Sequence, residues 1–237
     1  METTDSMGDV RCVVLSGSNG NFSTGMDLAV FGEMMGMDKV ESCEGRKREG
    51  MMAIIDFFQA CISAPEMCRV PVVAAVSGHC IGAGVDLITA CDLRYATREA
   101  KFCIKETDLA MVADVGTLQR LPKIVGDQRS RELAYTGRTF SGEEALKMGL
   151  VLECFDSEEE MYAHVDKVVA QIASKSPLTI RGIKKTSIFS RDHPVRDGLE
   201  QVKVRLSLTL TQALTLNPNP DEQPSPLTDA QCSHTSE

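Results

Sequence analysis

An α/β fold is predicted by three features of the sequence: an apolar run, an amphipathic stretch ahead of it, and a glycine-opened helix just after it. The run, Val70–Gly78 (VPVVAAVSG), is apolar almost throughout and reads as a strand buried on both faces, the habit of parallel sheets. Across Gly45–Ala64, residues Met51, Ile54, Ile55, Phe58, Cys61 and Ile62 recur at three- and four-residue spacings, which marks an amphipathic helix. Gly82-Ala83-Gly84 then opens a second helix that runs to about Ala90.

The remaining elements follow in order. Arg11–Gly17 (RCVVLSG) is a short apolar run closed by a turn and reads as a buried strand. Asn19-Gly20-Asn21 is a loop leading into Phe22-Ser23-Thr24-Gly25-Met26-Asp27. Pro65 is expected to stop the first helix. Cys91–Ile104 reads as one extended segment centred on Leu93–Ala96. The second half reads as mostly helical. Ser141 and Glu144 fit a capping box, Ser157 starts a helix to about Ser174, and Ser176-Pro177 starts another. The domain expectation is an α/β core over 1–140, a helical C-terminal region over 141–212, and a disordered tail over 213–237, where prolines sit among Asn, Asp, Gln and Ser.

Composition narrows the function. A chain of 237 residues buries one good-sized core. The net charge of -9, with no basic stripe, disfavours nucleic acid and membrane surfaces as partners. No apolar run reaches the roughly 18 residues that span a bilayer. Nine cysteines, an odd number without a C-x-x-C, read as reduced thiols of an intracellular protein, serving as small buried hydrophobes. No His, Cys, Asp or Glu spacing suits a metal. Neither the acidic first residues nor the C-terminal His-Thr-Ser-Glu resembles a targeting signal.

The chemistry points to Ser77–Asp92 (SGHCIGAGVDLITACD). Its glycines let the backbone approach a ligand, and the helix beside them turns its first N–H groups toward that ligand. Dinucleotide and phosphate-loop readings both fail, because Leu87 stands where the third glycine would be and no Gly-Lys-Ser/Thr follows. An N–H cradle for a carbonyl or oxyanion remains, beside the ordinary alternative of a tight strand–helix turn. Three carboxylates accompany it: Asp86 on the first turn, with Glu106 and Asp114 flanking the apolar stretch Leu109–Val112. Acids in apolar surroundings have raised pKa values and suit proton transfer near neutral pH. Each also has an ordinary use: Asp86 as a helix-start charge, Glu106 as a surface residue, Asp114 as N-cap of a helix Val115–Val125. His79 beside Cys80 suggests a thiol–imidazole pair, although neighbours in sequence rarely face each other.

Four blocks in order, Phe22–Asp27, Ala75–Asp92, Gly116–Gly126 (GTLQRLPKIVG) and Ser141–Gly149 (SGEEALKMG), resemble those of the crotonase (enoyl-CoA hydratase/isomerase) superfamily. The resemblance implies a crotonase-like spiral of β-β-α units, an acyl-CoA thioester as substrate, and a homotrimer or hexamer. Coenzyme A would be part of the substrate, with no cofactor besides. Two backbone N–H groups would hold the thioester oxygen, from Thr24, Gly25 or Met26 on one side and Ala83 or Gly84 on the other. Asp27 and Leu28 would complete the substrate-binding loop. Each such donor is typically worth about 2.7–4 kcal/mol in catalysis.

Within the superfamily the triplet Asp86, Glu106 and Asp114 is similar to dienoyl-CoA isomerases. That likeness implies Glu106 acting at C2, Asp114 at C6 and Asp86 in support, in mitochondria or peroxisomes. A hydratase, or a catalytically weak acyl-CoA-binding subunit, stays open. The latter is motivated by a strand and helix that the resemblance implies ahead of Arg11 and that are missing here, and by a family pattern that fades after about Leu206.

Overall fold

The computed structural model describes residues 9–27, 30 and 43–204. The chain divides into two compact units, residues 1–188 and 189–237. In the second, His193 stacks on Phe189 at 3.7 Å, and residues 195–204 are helical. Residues 205–212 and the expected tail over 213–237 lie outside the described residues.

The first unit is built on a parallel four-stranded sheet in the order β1-β2-β4-β7. Its strands are β1 (Val13–Ser16), β2 (Val72–Val76), β4 (Leu93–Thr97) and β7 (Glu153–Phe155). A smaller sheet runs β3-β5-β6, from β3 (His79–Ile81), β5 (Lys101–Cys103) and β6 (Phe140–Ser141). The helices are α1 (Glu44–Met67), α2 (Ala83–Thr89), α3 (Thr117–Val125), α4 (Asp127–Thr136), α5 (Gly142–Met148), α6 (Glu158–Ala173) and α7 (Pro177–Asp192). Chain order thus gives β2-β3-α2 and then β4-β5-α3, each with one strand in either sheet.

Burial of β2 on both faces follows from its lack of a polar side, and it feeds two cores. Val72, Ala74 and Val76 pack with Val85, Ile88, Phe102 and Leu121. The alternate Val73 and Ala75 pack with Tyr95, Met161 and Val165 under α6. Fully burying one such valine stabilises by about 1.5–3 kcal/mol. The capping box forms as read, with Ser141 Oγ accepting from Glu144 N at 3.2 Å and Ser141 N donating to Glu144 Oε2 at 3.3 Å.

Several expectations are corrected. Pro65 does not stop α1, which runs to Met67. A proline near a helix end removes one hydrogen bond only, and Cys68 N closes the last turn on Ala64 O at 2.9 Å. The segment Cys91–Ile104 is two strands in different sheets, divided by a turn where Ala100 N bonds Thr97 O. The second half adds β6 and β7, too short to show a period of two. Of the cysteines, Cys43 and Cys61 are exposed rather than buried. His79 is exposed and its Nδ1 lies 2.7 Å from Asn21 Oδ1, whereas Cys80 is buried, so the alternating sides of β3 separate the imidazole from the thiol.

Lys184 of α7 locks the end of α1 to the main sheet. Its Nζ donates to Pro65 O at 2.7 Å, Val70 O at 3.0 Å and Asp92 Oδ2 at 2.6 Å, and that same Oδ2 accepts from Val72 N. Only 5% of the lysine side chain is exposed. Lys184→Met keeps the length of the side chain but leaves two carbonyls and a carboxylate short of a donor. It should destabilise the chain by about 3 kcal/mol, read as a lowered urea midpoint at unchanged slope.

Candidate active site

The site begins where β3 enters α2. Gly82 adopts a φ of 52°, open to glycine without strain, and a Cβ there would stand 3.3 Å from Glu106 Oε1. Gly84 is needed for a different reason. A Cβ on it would lie 2.9 Å from Ser23 Cβ, so α2 and the loop Phe22–Met26 come closer than any side chain allows. That loop runs beside β3, with Ser23 N donating to His79 O and Ile81 N to Ser23 O, both at 2.9 Å. The Thr24–Met26 turn is thereby set against Ile81–Ala83.

Helix starts leave N–H groups without intrahelical acceptors. In α2, those of Val85 and Asp86 fold back on Gly82 O at 2.7 and 3.3 Å, which leaves Ala83 and Gly84 at the tip. Across the loop, Gly25 N donates to Ser23 Oγ at 3.2 Å. Between these segments opens a cavity of about 620 Å³. Its wall is apolar: Met51, Ile54, Ile55 and Phe58 of α1 face Leu109, Met111 and Val112.

The cavity brings together Thr24, Gly25, Met26, Ala83, Glu106 and Asp114. Asp86, Gly84 and Asp27 are not among its lining residues, and Leu28 lies outside the described residues. Asp86 sits behind the wall with no exposure at all. Its Oδ1 accepts from Thr117 N at 2.6 Å, and its Oδ2 is buried without a protein partner among the described residues. It is therefore more than a charge at the helix start. Glu106, in a 3-10 turn (Glu106–Leu109), is half-buried, and its Oε2 is likewise buried and unpartnered among the described residues. Asp114 is exposed and caps nothing: the helix starts at Thr117 with Gly116 as N-cap. The flanking stretch is also open, with Val112 71% exposed, so burial acts on Asp86 and Glu106 and not on Asp114.

Burial raises the Asp86 pKa, with the Asp114 charge adding to it and the Thr117 hydrogen bond partly opposing it. Burial also raises that of Glu106, helped by the charges of Asp86 and Asp114 and opposed by its own N–H and that of Lys105. Acids of this kind hold their proton to a higher pH than free carboxylates do. Among the described residues no group of His, Cys, Asp and Glu could hold a metal ion, and no helix is long and apolar enough to cross a membrane.

Sequence reasoning missed two contacts. Thr117 lies second in the block Gly116–Gly126, and its N–H meets Asp86 only in three dimensions. Gln59 of α1 donates to Asp114 O at 2.7 Å. The polar side of α1 was the visible signal for it, but its partner was not.

The paired β-β-α units over two sheets, with an apolar cavity at the start of α2, are the crotonase fold. Residues 1–209 match the family described as enoyl-CoA hydratase/isomerase, and the chain belongs to that family. It is 45% identical over 202 residues to the peroxisomal delta(3,5)-delta(2,4)-dienoyl-CoA isomerase of Arabidopsis thaliana, covering 85% of this chain and 73% of that protein. Identity to the mitochondrial delta(3,5)-delta(2,4)-dienoyl-CoA isomerase of Homo sapiens is 42% over 195 residues, 82% of this chain and 59% of that one. Among solved structures, an enoyl-CoA hydratase of Bacillus anthracis superposes with a TM-score of 0.76 at 28% identity, over 92% of this chain and 80% of that one. A putative enoyl-CoA hydratase of Thermobifida fusca in complex with CoA gives 0.72 at 27%, over 88% and 79%.

Asp86 yields a test of stability against pH. The folded chain keeps its proton in a window above the ordinary value of 3.8, where the unfolded chain has released it. Stability from this group is therefore lost as pH rises through that window. Asp86→Asn should raise the urea midpoint at pH 7 relative to the parent, with the gain shrinking toward pH 3. A gain independent of pH would show that the buried charge is not the cause.

Proposed function

We propose that this chain is a dienoyl-CoA isomerase that converts 3,5-dienoyl-CoA to 2,4-dienoyl-CoA in the β-oxidation of unsaturated fatty acids. The observation that carries the reading is a pair of acids, Glu106 and Asp114, on one apolar cavity from separate segments. In the reaction Glu106 takes a proton from C2. The electron pair moves into the conjugated system and onto the thioester oxygen, and Asp114 gives a proton to C6. The two acids reset by exchange with water, which the exposure of Asp114 permits. The thioester oxygen is held by Ala83 N–H and, with Gly25 engaged by Ser23, by Met26 N–H. Coenzyme A enters as part of the substrate, and no further cofactor takes part. The names of the plant and human relatives support this reading, and with it a peroxisomal or mitochondrial location.

A hydratase is the second reading, favoured by the names of the solved neighbours. It needs two carboxylates on one water, and here Asp86 is buried behind the wall with one oxygen bound to Thr117. The two are separated by assay. Wild type should isomerise the diene, seen as an absorbance change on conjugation, and hydrate 2-enoyl-CoA poorly. Faster hydration than isomerisation would assign the hydratase, and CoA-thioester binding without turnover the non-catalytic subunit.

Glu106→Gln and Asp114→Asn should each lower isomerisation by about 10²-fold or more. They should differ in one respect. Exchange of the C2 hydrogen with heavy water should vanish in the first and persist in the second, as it should in Asp114→Gly.

Assembly as a homotrimer or hexamer is part of the same proposal. It is supported by large apolar side chains in the open, such as Phe57 at 64% and Tyr135 at 74% exposure. Light scattering should give a multiple of 25.8 kDa. A stable monomer would remove this part.

A further inference from the structure

Helix α1 shows two stripes. The apolar one, Met51, Ile54, Ile55 and Phe58, lines the cavity. The polar one is Gln59, Ser63 and Glu66, spaced four and three apart, hence on one face. All three bind one short segment. Gln59 Nε2 donates to Asp114 O at 2.7 Å. Ser63 Oγ accepts from Arg120 Nη2 at 2.8 Å, and Glu66 Oε2 accepts from Arg120 Nη2 at 2.7 Å and Nε at 3.0 Å. The ion pair is nearly dry, with 12% of the Arg120 side chain and 11% of the Glu66 side chain exposed. Gly116, between the two anchors, has a φ of 135°, and a Cβ on it would fall 1.9 Å from Arg120 Nη1. The guanidinium thus lies across the backbone next to Asp114.

We propose that the polar stripe of α1 is a clamp on Asp114–Arg120, with Gln59 the positioning residue that sets where the Asp114 carboxylate stands over the acyl chain. This rests on the isomerase reading above. The Arg120 end fixes α1 to the start of α3, and the Gln59 end holds the backbone of Asp114, whose side chain is exposed. The same helix carries the apolar wall, so the acyl chain and the distal acid take their positions from one rigid element. Preorganisation of this kind matters because a reacting group misplaced by about 1 Å can cost about 10²-fold in rate.

The test uses the full chain with two variants. Gln59→Leu removes the donor at similar size. It should lower kcat for diene isomerisation by about tenfold with KM little changed, and spare C2 exchange, behaving as a weaker Asp114→Asn. Gln59→Glu adds a signature that a general loosening would not give. Its protonated carboxyl can donate to Asp114 O, and its ionised form repels that carbonyl. Its kcat relative to wild type should therefore fall as pH rises through the carboxylate range, and Gln59→Leu should show no such fall. Hydrogen exchange read by mass spectrometry should speed up in Gln59→Leu over residues 114–120 and not in β2. Wild-type kcat in Gln59→Leu, equal losses of C2 exchange and isomerisation, or unchanged exchange over 114–120 would each overturn the clamp. A wild type that binds the diene without isomerising it would sink the isomerase reading instead, and the exchange measurement would still decide whether the clamp exists.

Discussion

The site hangs on one buried hydrogen bond, from Thr117 N–H to Asp86 Oδ1. At 2.6 Å and with neither residue reached by solvent, it joins the first turn of α2 to the first turn of α3. The tip of α2 carries Ala83, and the approach to α3 carries Asp114, so this bond fixes the separation between an N–H donor and a distal acid. A carboxylate placed there is costly unless it is paired or protonated. Among the described residues only one oxygen is paired, and burial raises the pKa of Asp86 against the opposing Thr117 hydrogen bond. The structure keeps an ionisable group in a place that an amide could fill, and the neighbouring Glu106 feels its charge.

Around that bond, the parts divide their labour by depth. Asp86 and Thr117 are sealed, Glu106 is half-buried, and Asp114 is open. Glu106 lies against the apolar wall of the cavity, whereas the Asp114 side chain meets solvent directly. Helix α1 shows the same division along its length. Its cavity-lining residues Met51, Ile54, Ile55 and Phe58 are only half-buried because they face a cavity rather than the core, and Pro65 is its one buried residue. The helix is held by its end and its polar side instead, through Lys184, Arg120 and Asp114.

Local signals in the sequence carried far and non-local ones did not. Strand β2, the opening of α2, the capping box at Ser141 and the N-cap at Ser157 each rest on a few adjacent residues, and each stands where it was read. Strands β6 and β7 have two and three residues, too few for an alternation to show. Glu106 and Asp114 could be named as candidates because they flank an apolar stretch. That they share a cavity, that Asp114 is exposed, and that Gln59 and Thr117 serve the two aspartates are facts of tertiary contact. No window of sequence holds both partners of Gln59–Asp114 or Asp86–Thr117.

The parallel sheet also sets the order in which this chain can be made. Val13 pairs with Val72, Val73 with Leu93 and Tyr95 with Glu153, so each ladder but one waits for a long loop to close. Loop closure costs entropy before any pairing repays it, and folds dominated by such contacts form slowly. Among the described residues β1 therefore has no sheet neighbour until β2 is made, and β7 joins the sheet last. In between, an apolar strand edge is open to other chains, a liability that a helical bundle does not share.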